Sequence, residues 1–122
     1  MSDKLDLRES LEIPKLENSS EAENFQNETL RPILKLQNDF YQSVFLNYAS
    51  RQKVDLETLS KQKKTLFIEA SLQKDSVLKN TFIGMTIGML TLEELETYFL
   101  DTKAYNKRII TMLIERIRSQ II

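Results

Sequence analysis

The chain has 122 residues, 14.3 kDa and a formal net charge of −1, which is room for a single domain. It contains no Cys and no His, so disulfides, thiolate chemistry, thiolate metal sites and imidazole acid–base catalysis are all excluded. Two Gly and two Pro are too few for a turn-rich sheet protein, and the abundance of Leu, Glu, Lys and Gln points to helices. Leu, Ile, Val and Phe number 38, enough apolar side chain for a folded core.

Residues 1–28 carry eight acids against Lys4, Arg8 and Lys15, a net of −5, and the remainder carries a net of +4. Pro14 and Asn18-Ser19-Ser20 interrupt any helix near the start. The sequence therefore predicts a flexible acidic tail over 1–24 and a single helical domain over 25–122. Such a tail can mask a basic body, dock on it, or remain solvated. No apolar leader opens the chain. The longest apolar stretch, Phe82–Leu90, is too short to cross a bilayer, so a cytoplasmic protein with no membrane contact is expected.

The first helix is predicted from Glu23 or Thr29 to Ala49. Apolar residues from Leu30 to Tyr48 form one broad face, with Gln37 near its centre. Thr29 as N-cap would put Pro32 in the first turn, where a missing N–H is harmless. A polar connection follows over 50–56. A second helix is expected over Leu56–Lys74, with Leu59, Leu66, Phe67 and Ala70 buried. Asp75 or Ser76 then caps a third helix, Val77–Met89, unless one bent helix spans both. That third helix is apolar nearly all round, so it should be the most buried, or lie in a subunit interface. Thr91-Leu-Glu-Glu94 fits a capping box opening a short helix with Leu92, Leu95, Tyr98 and Phe99 on one face. The last helix runs over about Lys103–Gln120. The expected fold is an all-α bundle of four to five helices, with mostly antiparallel neighbours.

Three groups of residues stand out. Gly84 and Gly88 form Gly-x-x-x-Gly, which lets another helix approach closely. With Ile83, Ile87 and Leu90 they mark a candidate packing or interface surface. Gln37, Asn106 and Arg116 interrupt apolar faces and form a candidate polar cluster, either a buried network fixing helix register or a ligand site with Arg116 as anion anchor. Lys103, Lys107, Arg108 and Arg118 make a candidate basic face on the last helix. A short helix before a basic one is similar to a helix-turn-helix, with Lys103, Asn106, Lys107 and Arg108 opening the recognition helix. The plainer reading of these charges is a solvated face. Glu93, Glu94, Glu96 and Asp101 favour a helix dipole more readily than a metal, since carboxylate metal bundles use Glu-x-x-His elements.

The stretches Phe25–Asp39, Gln73-Lys-Asp75, Gly84–Glu94, Asn106-Lys-Arg108 and Ile114-Glu-Arg116 resemble a family of short bacterial helical proteins that often carry the label glyoxalase. Taken literally, the label implies a metal-dependent lyase. Glyoxalase I enzymes are built from paired βαβββ modules and hold their metal with His and Glu or Gln. This chain has no His, so no catalytic or metal-ligating residue is carried over and no cofactor is expected. The leading expectation is a non-enzymatic protein-interaction or self-associating module with a protein partner or a second copy. A nucleic-acid-associated regulator using the last helix is the alternative, and the lyase is disfavoured.

Overall fold

The computed structural model describes residues 21–121, which are helical with no strand among them. Six α-helices follow one another: α1 (Arg31–Leu36), α2 (Asn38–Arg51), α3 (Lys61–Lys74), α4 (Ser76–Ile87), α5 (Leu92–Leu100) and α6 (Thr102–Ile121). The all-α bundle is as expected, and the count rises because the first predicted helix breaks at Gln37. Helix already covers 21–25, four residues of which fall within the expected tail. The rest of the expected tail lies outside the described residues.

Pro32 lies in the first turn of α1, as expected, but Thr29 is not its cap: the N-cap position is Leu30, and Thr29 lies inside a helical run that begins upstream. The chain accommodates Pro32 with a π-helical turn over Gln26–Leu30, where the Arg31 N–H reaches back to the Gln26 carbonyl. The wider turn relieves the clash of the ring with the preceding carbonyls. At Gln37 the backbone turns to φ −97°, ψ 15°, separating α1 from α2.

Local capping sets the other boundaries. At the end of α2, Lys53 adopts φ 62°, while the Lys53 and Val54 N–H groups bond the Ser50 and Ala49 carbonyls in a Schellman closure. Asp55 caps a 3₁₀ turn, Leu56–Thr58, and Ser60 caps α3, so the second helix starts at Lys61 rather than Leu56. Asp75 separates α3 from α4, its carboxylate accepting the Val77 and Leu78 N–H groups at 3.1 Å. The Leu78 N–H, with the Tyr48 hydroxyl, holds this carboxyl below its usual range. Thr91 and Glu94 form the predicted capping box.

The central helix is α6, not the one bearing the glycines. Its Tyr105, Ile109, Ile110, Leu113, Ile114 and Ile117 are buried, and it packs on α3, α4 and α5. From α4 come Leu78, Phe82, Ile83 and Thr86. In α3 the buried stripe is Ile68, Ser71 and Leu72; Leu66 and Ala70 are exposed and Phe67 is half-buried. The helical run 21–36 lies parallel to α6 rather than antiparallel. Phe25 packs at a tilt against Tyr105, Gln26 meets Arg108 and, at the start of α2, Asn38 meets Gln120, so contacts advance in step along α6.

Among the described residues, the Gly-x-x-x-Gly pair makes no helix crossing. Gly84 is exposed, with open space where a Cβ would stand, and a Cβ on Gly88 would meet only the Gly84 and Met85 carbonyls of its own turn. Ile83 is buried, and Ile87 and Leu90 are half-buried against the core, so these three are not a free surface. Gly84→Ala should stabilise the chain by about 0.5–1 kcal/mol, since Gly carries that penalty in a helix interior. Thermal unfolding checks this: the midpoint rises by a few degrees, and a fall would show that the glycine serves a close contact.

Candidate functional site

The three candidate polar residues do not form one cluster. Gln37 faces α4. Its side-chain amide donates to the Tyr41 hydroxyl at 3.0 Å and to the Met85 carbonyl at 3.1 Å. Tyr41 is fully buried and its oxygen lies 2.7 Å from Thr86 Oγ1. The Thr86 hydroxyl donates to the Phe82 carbonyl at 2.9 Å, so the Tyr41 hydroxyl donates to Thr86. Every member of this chain has a partner. Met85 lies in the last turn of α4, where carbonyls lack intrahelical donors, and Gln37 supplies one. Burial pushes the Tyr41 phenol above its ordinary pKa, opposed by the Thr86 and Gln37 hydrogen bonds and the Arg116 charge.

Asn106 accepts from the Tyr98 hydroxyl and so joins α5 to α6. Arg116 donates to Asn38 Oδ1 at 3.3 Å. Asn38 and Gln120 exchange amide hydrogen bonds of 3.0 and 3.1 Å. Arg116 and Asn38 thus secure the start of α2 against α6. Asn38 was legible only as a motif residue, because its partners lie about eighty positions away.

The basic residues divide between two grooves. Lys107, Arg108 and Arg116 line a groove of about 790 Å³ with Arg31 from α1. Arg118 lies in a second groove, of about 650 Å³, beside Lys61 and Leu66 of α3. Lys103 is exposed and borders neither. The expected single basic face is therefore split along α6. The first groove brings together residues of three stretches that carry the sequence resemblance, namely Arg31, Lys107, Arg108, Glu115 and Arg116.

A surface that the sequence pattern did not single out lies on α5. The sequence sets Leu92, Leu95, Tyr98 and Phe99 on one face of this helix. Only Tyr98 is buried and Leu95 is half-buried. Leu92, Phe99 and Leu100 remain 82%, 62% and 79% exposed. Leu36 and Phe40, one turn apart on either side of the Gln37 break, are a second exposed apolar pair.

Among the described residues, no three acidic side chains gather closely enough to hold a metal ion. No helix among them is long and apolar enough to cross a membrane. The chain matches no family model, no curated protein and no solved structure.

The Tyr41–Thr86 pair predicts a non-additive mutant cycle. Tyr41→Phe and Thr86→Val should each cost about 1–3 kcal/mol, because each strands a buried partner. The double variant should cost clearly less than the two together. Denaturant unfolding of the four proteins checks it.

Proposed function

We propose that the chain is a non-enzymatic, self-associating interaction module whose contact face is the outer side of α5. The supporting observation is the mismatch between the amphipathic sequence of α5 and what it buries. A nine-residue helix with five apolar or aromatic side chains covers only Tyr98 fully. Leu92, Phe99 and Leu100 stand in water although the core beneath is complete. Large apolar side chains grouped in this way mark association surfaces more often than isolated ones do. The charges nearby favour a second copy as partner. Exposed Glu93 and Glu96 lie on α5, and exposed Lys103 follows its end. A two-fold related copy can set acid against base while apolar meets apolar. The absence of Cys is compatible with a cytoplasmic setting.

Among the described residues, no acid–base pair or activated nucleophile adds support to an enzymatic reading. The shifted tyrosines, Tyr41, Tyr48, Tyr98 and Tyr105, are all moved upward chiefly by burial, away from reactivity at neutral pH.

Sedimentation equilibrium over a concentration series tests the proposal. The wild type should shift from monomer toward dimer. Phe99→Ser with Leu100→Ser should weaken association by about tenfold or more, given roughly 1.5–3 kcal/mol for each large apolar side chain removed from water. Both positions are exposed in the monomer, so the variant should keep its fold. A wild type that stays monomeric throughout, or a variant that associates as tightly, would contradict the reading.

A further inference from the structure

The groove between α1 and α6 has an electrostatic character that self-association through α5 does not use. Its walls come from two helical runs that lie parallel. Arg31 projects from one; Lys107, Arg108 and Arg116 project from the other. Glu115 is the one acid on its lining, which leaves an excess of three positive charges.

The tethering of the arginines is what distinguishes this groove from an ordinary charged surface. Arg31 Nε donates to Asn27 Oδ1 at 3.3 Å, Arg108 Nη1 to Gln26 Oε1 at 2.6 Å, and Arg116 Nη1 to Asn38 Oδ1 at 3.3 Å. In all three the acceptor is a neutral amide. An amide orients a guanidinium without cancelling its charge, and each guanidinium has further N–H groups to offer. A set of oriented forks with no carboxylate bound to them among the described residues is suited to phosphoryl oxygens.

We propose that the α1–α6 groove is a binding site for a small molecule carrying adjacent phosphates, of the nucleoside di- or triphosphate class. A single carboxylate would leave most of the charge unmatched, whereas a polyphosphate of three or four negative charges matches it. The cavity, about 790 Å³, has the size of a small-ligand site. Exposed Ala104 and half-buried Met112 offer a small apolar surface for a ring, and Thr111 and Ser119 offer hydroxyls. A nucleic-acid strand fits less well. The Asn38–Gln120 amide pair and the Arg116–Asn38 contact tie the start of α2 to α6 toward the α6 C-terminus, and Arg118 belongs to the other groove.

Titration calorimetry of the full chain with inorganic tripolyphosphate, and then with adenosine triphosphate, at physiological salt tests this. Saturable binding of one molecule per chain is expected for both. Arg31→Gln with Lys107→Gln, both exposed positions, should weaken it by about tenfold or more. Glu115→Gln should tighten it, a gain that loss of folding cannot imitate. Lys61→Gln with Arg118→Gln, in the second groove, should leave it unchanged. Absence of saturable binding would overturn the proposal, as would equal weakening by both double variants or no gain from Glu115→Gln. A single-stranded oligonucleotide that binds with steep salt dependence where tripolyphosphate does not would overturn it in favour of a strand. Phe99→Ser with Leu100→Ser should bind tripolyphosphate normally, so failure of one proposal is distinguishable from failure of the other.

Discussion

A buried tyrosine hydroxyl organises this bundle. Tyr41 lies wholly inside the protein, where an unpaired hydroxyl would cost about 1–3 kcal/mol. It is satisfied by Gln37 from its own helical run and by Thr86 across the core. Gln37 can reach both Tyr41 and the terminal carbonyls of α4 at the point where the helix breaks between α1 and α2. Polar pairing of this kind has one good geometry, whereas apolar contact has many. It therefore fixes where α1 ends, how α2 lies on α4, and how the helical run 21–36 is presented to α6.

That presentation has consequences on both sides of α6. On one side, a helix running parallel to α6 leaves a groove whose arginines are oriented by amides. On the other, α3 runs alongside, with Arg118 directed to it. The core is then closed by α4 and α6, and α5 is left as a peripheral helix joined through Tyr98, which bonds Asn106 and lies against Tyr105. Because the central polar relay is satisfied within the chain, the outward apolar side chains of α5 are a property of the surface, not a sign of an unfinished interior.

Local signals were the ones the sequence carried well. The Thr91–Glu94 box and the Asp75 cap involve residues within three positions of each other, so their chemistry is complete in the local sequence. Gln37 was recognisable as a polar residue on an apolar face. Its partner Tyr41 is one turn away, but Thr86 and Met85 are more than forty positions distant and no spacing rule reaches them. The same limit explains the glycines. A Gly-x-x-x-Gly pattern says that a close approach is possible; it does not say which side of the helix faces the body, and here Gly84 faces outward. For α5, amphipathicity showed that one face seeks cover, without showing that the chain itself supplies so little of it. The α1–α6 groove was invisible for a further reason. Its cations come from both ends of the chain, and parallel packing of those ends runs against the antiparallel arrangement that short connections suggest.

Self-association of the proposed kind requires that α5 be covered when copies meet. Hydrogen exchange read by mass spectrometry on dilute and concentrated samples of the full chain measures this. Amides of 92–100 should exchange more slowly in the concentrated sample, while those of α3, with exposed Leu66 on a different face, should not change. Identical exchange across α5 at both concentrations would contradict self-association through this helix.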